Sequence, residues 1–275
     1  MTRLAAFCAF CAFGAVALGL VLGEARAASE ADAGAWPDIR AALFGDRPIA
    51  DGAGLIRLEA PERAYDAAIV PISVVAEIPQ APGRFIKTVH LVIDNNPSPV
   101  AGVFGFAADG GSASFATRVR INEYTFMRAI AETNDGALYM AARFVKAAGG
   151  CSAPSLKDQA KAMAQLGRMK LKHAGDIVLN EPVEAQLLIS HPNFSGLQFD
   201  QISRNYIPPQ FVQRIVVRFG ARTVLEVDAD ISLSEDPSIH FTYVPDGPGA
   251  LGVEVTDSDG NRFEQSWLVE PAPSS

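Results

Sequence analysis

Cys151 is the residue of this chain whose type and setting could do chemistry. It lies in Phe144-Val-Lys-Ala-Ala-Gly-Gly-Cys-Ser-Ala-Pro154, between two segments of β-strand texture. A cysteine thiolate is both a nucleophile and a point of covalent attachment. Gly149 and Gly150 lack a Cβ and sample φ of either sign, so the pair reads as a hinge. Pro154 biases Ala153 towards an extended conformation and opens a new segment. Together these features predict an exposed thiol on a flexible spacer, against the alternative of a buried free cysteine that packs as a small hydrophobe. Lys146 and Lys157 are the nearby cations that could favour its thiolate, although lysines on a solvated surface are the plainer reading of both.

The remaining candidates for chemistry are weak. The four histidines, His90, His173, His191 and His240, fall in separate elements without ligand spacing, which favours packed or solvated side chains over a metal site. Asp257-Ser-Asp-Gly260 has the start of a calcium loop but no glutamate at loop distance, so it reads as a hairpin turn. Residues 28–275 contain no phosphate loop, no nucleophile elbow and no Cys-x-x-Cys pair. A cysteine hydrolase would need a preorganised histidine, and a glycine arm is a poor platform for one. The expectation is a protein without catalysis, cofactor or metal of its own.

The N-terminus explains why one thiol stands out. Arg3 precedes an apolar run, Leu4 to Leu22, and Ala25-Arg26-Ala27 fits a small-x-small cleavage site. Residues 1–27 read as a secretory signal, which places the mature chain in the periplasm. Cleavage removes Cys8 and Cys11, two of the three cysteines, and leaves Cys151 alone. An unpaired cysteine in an oxidising compartment points to a reactive group or to intermolecular pairing. The net charge of −8 becomes −9 once the signal, with Arg3 and Arg26 against Glu24, is gone. That acidic balance, without a basic run, argues against nucleic acid as a partner.

The elements that must position the thiol are mostly strands. Trp36 to Phe44, with Pro37 early and Gly45 after it, predicts a short helix. From Leu55 to Lys146 short apolar runs alternate with turn residues such as Asp94-Asn-Asn-Pro97 and Asn134-Asp-Gly136. Phe115, Thr117, Val119 and Ile121 face one way there, with Ala116, Arg118 and Arg120 on the solvent side. Pro71 inside the run 67–78 predicts an edge or a bulge. Ser155 to Lys172, rich in Ala, Lys, Met and Leu, predicts a linker helix whose apolar stripe packs on a sheet. A second run of strands from Gly175 ends in a hairpin around Asp257 to Asn261, with Phe263, Trp267 and Val269 inward. The fold class is all-β: two immunoglobulin-like β-sandwich domains, 28–148 and 174–275, joined by a cysteine arm and linker helix, 149–173.

Several of these stretches resemble a known family. Val70-Pro-Ile-Ser-Val74, Ile93-Asp-Asn-Asn-Pro-Ser-Pro99, Thr117-Arg-Val-Arg120, Asn134-Asp-Gly-Ala-Leu-Tyr139 and Gly149-Gly-Cys151 resemble the SoxY subunit of the SoxYZ sulfur carrier. Ala174-Gly-Asp-Ile177, Leu188-Ile-Ser-His-Pro-Asn193, Ile207-Pro-Pro209 and Asp257-Ser-Asp-Gly260 ahead of Phe263 resemble its SoxZ partner. The order is similar to that of fused SoxYZ-like proteins associated with quinoprotein dehydrogenases. The resemblance implies that Cys151 attaches a sulfur-linked intermediate and that Gly149 and Gly150 are the hinge of its arm. It implies as partners periplasmic sulfur-oxidation enzymes or, in the alternative, quinoprotein dehydrogenase and cytochrome components. In that alternative the protein is an accessory module and Cys151 links a homodimer. Two departures are visible: Ser152-Ala153 replaces the family's two glycines after the cysteine, and the arm runs on into a second domain.

Overall fold

The computed structural model describes residues 34–154 and 159–273. The expected signal segment 1–27 and Lys157 lie outside the described residues. The chain divides into a compact unit up to Gly45 and a second from Asp46 onwards. The first contains helix α1 (Trp36–Phe44), begun by a proline in its first turn and closed where Gly45 N–H donates to the Ala41 carbonyl at 3.0 Å.

The second unit holds the strands. They are β1 (Ile49–Asp51), β2 (Ile56–Glu59), β3 (Val70–Ala76), β4 (Ile86–Ile93), β5 (Val100–Phe106), β6 (Phe115–Val119), β7 (Thr125–Thr133) and β8 (Leu138–Val145). After helix α2 (Gln159–Ala164) come β9 (Met169–His173), β10 (Val183–Ile189), β11 (Phe199–Asp200), β12 (Asn205–Tyr206), β13 (Val212–Phe219), β14 (Arg222–Ala229), β15 (Ser238–Tyr243), β16 (Gly249–Asp257) and β17 (Arg262–Val269). The all-β expectation holds.

The two halves are joined by more than the linker. A nine-stranded sheet runs β1-β8-β7-β4-β5-β14-β13-β16-β17, and a six-stranded sheet runs β2-β3-β6-β15-β10-β9. In the first, β5 pairs antiparallel with β14, from Leu225 opposite Phe106 to Ala229 opposite Gly102. In the second, β15 meets β6 at His240 and Ala116. Both sheets therefore cross from the first half of the chain into the second. The inward residues of both sheets form one apolar cluster, including Val89, Leu91 and Phe104 from the first half and Val217, Leu225 and Val255 from the second. Period-two patterning produces this burial, since successive side chains of a strand point to opposite faces. In β10, for example, Val183, Ala185, Leu187 and Ile189 are buried while Glu184 is exposed.

The turn chemistry behaves as the residues dictate. Asp257 closes the β16 to β17 hairpin: its Oδ1 accepts from the N–H groups of Asp259 (3.0 Å) and Asn261 (2.8 Å). Phe263 and Trp267 pack against the core, and Val269 is part of it. Pro71 lies in a strand paired on both sides, but β2 reaches only to the Glu59–Ser73 pair. The proline thus sits past the end of β2, where a missing N–H costs no ladder bond. In the first half, Arg128 (0% exposed) forms a bidentate pair with Asp94, with Nε at 2.9 and 3.0 Å and Nη2 at 2.7 Å from the carboxylate oxygens. Burial raises the Asp94 carboxyl above its ordinary value, and the guanidinium pulls the other way.

The linker helix is a correction. The described helix α2 covers only Gln159–Ala164, and Met163 on its predicted packing stripe is exposed. Residues 155–158 lie outside the described set. Past Ala164 the chain turns, because Gly167 N–H donates to the Ser190 carbonyl and Ser190 N–H returns to the Arg168 carbonyl. Those bonds align Met169–His173 beside β10 as an edge strand, Met169 opposite Ile189 and His173 opposite Ala185. Met169-Lys-Leu-Lys-His173 also carries period-two alternation, with Met169 buried and Lys170 and Lys172 exposed. Tertiary pairing overrode a helical composition. Among the described residues no helix is long and apolar enough to cross a membrane.

Candidate functional site: a closed cysteine loop

The loop carrying Cys151 begins where β8 ends. Lys146 N–H donates to the Glu62 carbonyl (2.8 Å), and the Lys146 ammonium pairs with the Glu62 carboxylate at 2.7 Å. Gly149 N–H then donates to the Asn122 carbonyl (2.8 Å) and Gly150 N–H to the Ile121 carbonyl (2.9 Å). Gly149 has φ of +82°, a conformation that a Cβ disfavours. Gly150 meets a different demand: a Cβ there would lie 2.0 Å from the Ala67 carbonyl oxygen and 2.8 Å from that of Ile121. Neither glycine is a free joint in this state, since both N–H groups are bonded.

The thiol is also not exposed. Cys151 has 0% accessible surface, which overturns the expectation of a solvent-facing thiol. A segment 44 residues further along is bonded to the cysteine loop. Ser195 Oγ donates to the Cys151 carbonyl in a short hydrogen bond, and Gln198 Nε2 donates to the Ala153 carbonyl at 3.1 Å. Ser195 and Gln198 are themselves buried, and they are tied together by Ser195 N–H to Gln198 Oε1 (3.2 Å). Their segment is rooted in the second half. Asn193 donates its side chain to the Leu233 carbonyl (3.2 Å), accepts from Val212 N–H (2.9 Å), and gives its own N–H to His191 Nδ1 (3.0 Å). With Nδ1 accepting, the His191 proton sits on Nε2, which faces Asp257 Oδ2 at 3.4 Å. Burial lowers the His191 pKa, against the opposing pull of Asp257.

Among the described residues, the cation that acts on the thiol is Arg120. Lys146 is paired with Glu62 and Lys157 lies outside the described residues. Arg120, expected on the solvent side of its strand, is only 2% exposed. It follows the end of β6, where its N–H donates to the Ser232 carbonyl (2.8 Å) and its Nη1 to the carbonyls of Leu233 (2.6 Å) and Ile231 (3.3 Å). Carbonyls of the second half thus take up the guanidinium of a first-half residue. Burial pushes the Cys151 thiol up to about 11 from 9.0, and the Arg120 charge opposes that rise. Burial likewise lowers the Arg120 pKa, and Cys151 and Glu235 act against the shift. The thiol is therefore neutral at physiological pH, shielded, and next to a buried cation.

Sequence reasoning singled out Cys151, Gly149 and Gly150 and gave no role beside the thiol to Arg120, Ser195 or Gln198. The signal for Arg120 was an arginine directly before the buried Ile121; Ser195 and Gln198 had none, because they act only through the fold. Among the described residues no group of three or more His, Cys, Asp or Glu is placed to hold a metal ion.

Comparison with known proteins identifies the family of the chain. The model of the sulfur oxidation protein SoxY matches residues 40–151, and that of the sulphur oxidation protein SoxZ matches residues 171–267. The chain is a fused SoxYZ-like protein. In the terms of that family, Cys151 ends the SoxY region, Arg120 belongs to the same region, and Ser195 and Gln198 come from the SoxZ region. The cysteine loop is closed across the boundary between the two. No curated protein matches the chain. Among solved structures, a superoxide reductase (neelaredoxin) from Ignicoccus hospitalis is 18% identical over 34% of this chain and 82% of its own, with a TM-score of 0.32. A β-glycosidase from Bacteroides vulgatus is 10% identical over 78% of this chain and 24% of its own, with a TM-score of 0.25.

Proposed function

We propose that this SoxYZ-like protein is a periplasmic, non-enzymatic carrier that holds a sulfur-linked intermediate on Cys151 and presents it to sulfur-oxidation enzymes. One observation carries the reading: the single cysteine of the described residues stands at the last position of the SoxY match, inside a loop closed by the SoxZ match. The chemistry suits a thiol. Joining a cysteine thiolate to another sulfur in an S–S bond removes two electrons, which a partner enzyme must accept. The carrier itself then needs a nucleophilic sulfur, a way to expose it and a surface that partners recognise. Gly149 and Gly150, tied to the carbonyls of Asn122 and Ile121, are the pivot beyond which the arm opens. A Cys151-linked dimer would need the same exposure, because a fully buried thiol meets no second chain.

The direct test is the intact mass of protein isolated from the periplasm, with and without reductant, beside Cys151→Ser. A reductant-labile adduct on the wild type alone is the expected result, and its mass identifies the cargo. An unmodified thiol in cells actively oxidising reduced sulfur would contradict the reading.

A further inference from the structure

We propose that Ser195 and Gln198 form a latch: the arm bearing Cys151 is stored shut by their two side-chain hydrogen bonds, and releasing them exposes the thiol while the sheets stay intact. The proposal rests on the carrier reading for its purpose, since a thiol that must meet enzymes cannot remain fully buried. The geometry marks where the opening occurs. Before Cys151 the loop is tied to the first half by Gly149 and Gly150, whose N–H groups bond the carbonyls of Asn122 and Ile121. After it, the carbonyls of Cys151 and Ala153 are held by Ser195 and Gln198. Residues 147–154 lie outside every strand, so opening here breaks no sheet pairing. On the other side, the latch is anchored through Asn193 to Leu233 and Val212 and through His191 towards Asp257. It then runs into the small β11 to β12 hairpin, with Ile202 94% exposed at its tip, so the latch borders solvent.

A catch of two side-chain bonds is of the right strength for local opening. Each such bond contributes modestly to stability, and opening of a loop margin costs far less than global unfolding. The closed state also restrains reactivity in two ways, by excluding reagents and by keeping the thiol protonated. A thiol pushed to about 11 carries roughly a hundredfold less thiolate at neutral pH than one at 9.0.

The test is the alkylation rate of Cys151 by iodoacetamide in the full chain, followed by intact mass. It needs no cargo, so its outcome is independent of whether an adduct is found in cells. Wild-type protein is expected to react about a hundredfold or more slowly than urea-unfolded protein. Ser195→Ala and Gln198→Ala should each raise the rate about fivefold, the double variant about thirtyfold, and Ser195→Thr, which keeps the hydroxyl, should stay near wild type. Because a buried substitution can unfold a chain, the wild type supplies a second readout. Its rate at low urea should be almost flat, as local opening exposes little surface. A wild-type rate equal to that of unfolded protein, an unchanged rate in the folded double variant, or a urea slope equal to that of global unfolding would overturn the latch.

Discussion

Gly150→Ala is expected to destabilise the protein by about 3 kcal/mol or more and to leave Cys151 alkylated nearly as fast as an unfolded thiol. The added Cβ would lie 2.0 Å from the carbonyl oxygen of Ala67 and 2.5 Å from its carbon. Both are backbone atoms of the segment leading into β3, so no side chain can swing aside. The Ala67 carbonyl also accepts the Ile121 N–H at 2.8 Å, and the Ile121 carbonyl accepts the Gly150 N–H. Relief of the clash therefore dismantles the contacts that seat the loop. Gly149→Ala is the control. Its φ of +82° makes alanine strained, but a Cβ there meets open space, so a cost of about 1 kcal/mol is expected and the thiol should stay shut. Urea titration of the two variants beside wild type checks the order. A Gly150→Ala protein as stable and as protected as wild type would mean that the loop is not seated as described.

The second large effect is a pH dependence belonging to one thiol. Cys151 titrates at about 11 in the folded chain and at 9.0 as an ordinary thiol. Between those values the folded state binds the proton that the unfolded state has lost, so stability falls as pH rises. The contribution is fully present below about pH 9 and disappears as pH passes 11, an upper bound of about 3 kcal/mol for two pK units. Tyr243, raised by burial to about 12, and any other group whose pKa changes on folding contribute slopes of their own in this range. The Cys151→Ala protein carries those slopes too, so the difference between the two proteins isolates the thiol. Wild type should lose more stability than Cys151→Ala between pH 8 and 11. Parallel curves would show that the thiol is solvated.

Much of this architecture was legible in the residues. Alternation in Phe115 to Val119 and in Leu251 to Val255, the helix at Trp36 to Phe44 and the Asp257 turn all follow from local chemistry that the fold leaves in place. Local chemistry also explains the misreadings. Gly149-Gly150 looked like a free joint because permissive glycines are common in joints, yet Gly150 is glycine to let the Ala67 carbonyl approach. Met169 to His173 carried two periodicities, and only the position of Ser190 and β10 decided between them. The burial of Cys151 and Arg120 is a long-range event: Ser195 lies 44 residues beyond the cysteine, and Leu233 lies 113 residues beyond the arginine. No window of sequence reports such a contact. Sheet pairing across the SoxY and SoxZ regions is equally invisible locally, since β5 and β14 each read as an ordinary strand with an unnamed neighbour.

The measurement that tests the central claim most directly is complementation with Cys151→Ser in cells that supply the partner sulfur-oxidising enzymes. Serine keeps the shape of the side chain while removing the sulfur to which cargo must attach. Oxidation of reduced sulfur that depends on this chain should fall to the level of cells lacking it, with the variant present at wild-type amounts. Oxidation at the wild-type rate would contradict the assignment of Cys151 as the carrier thiol.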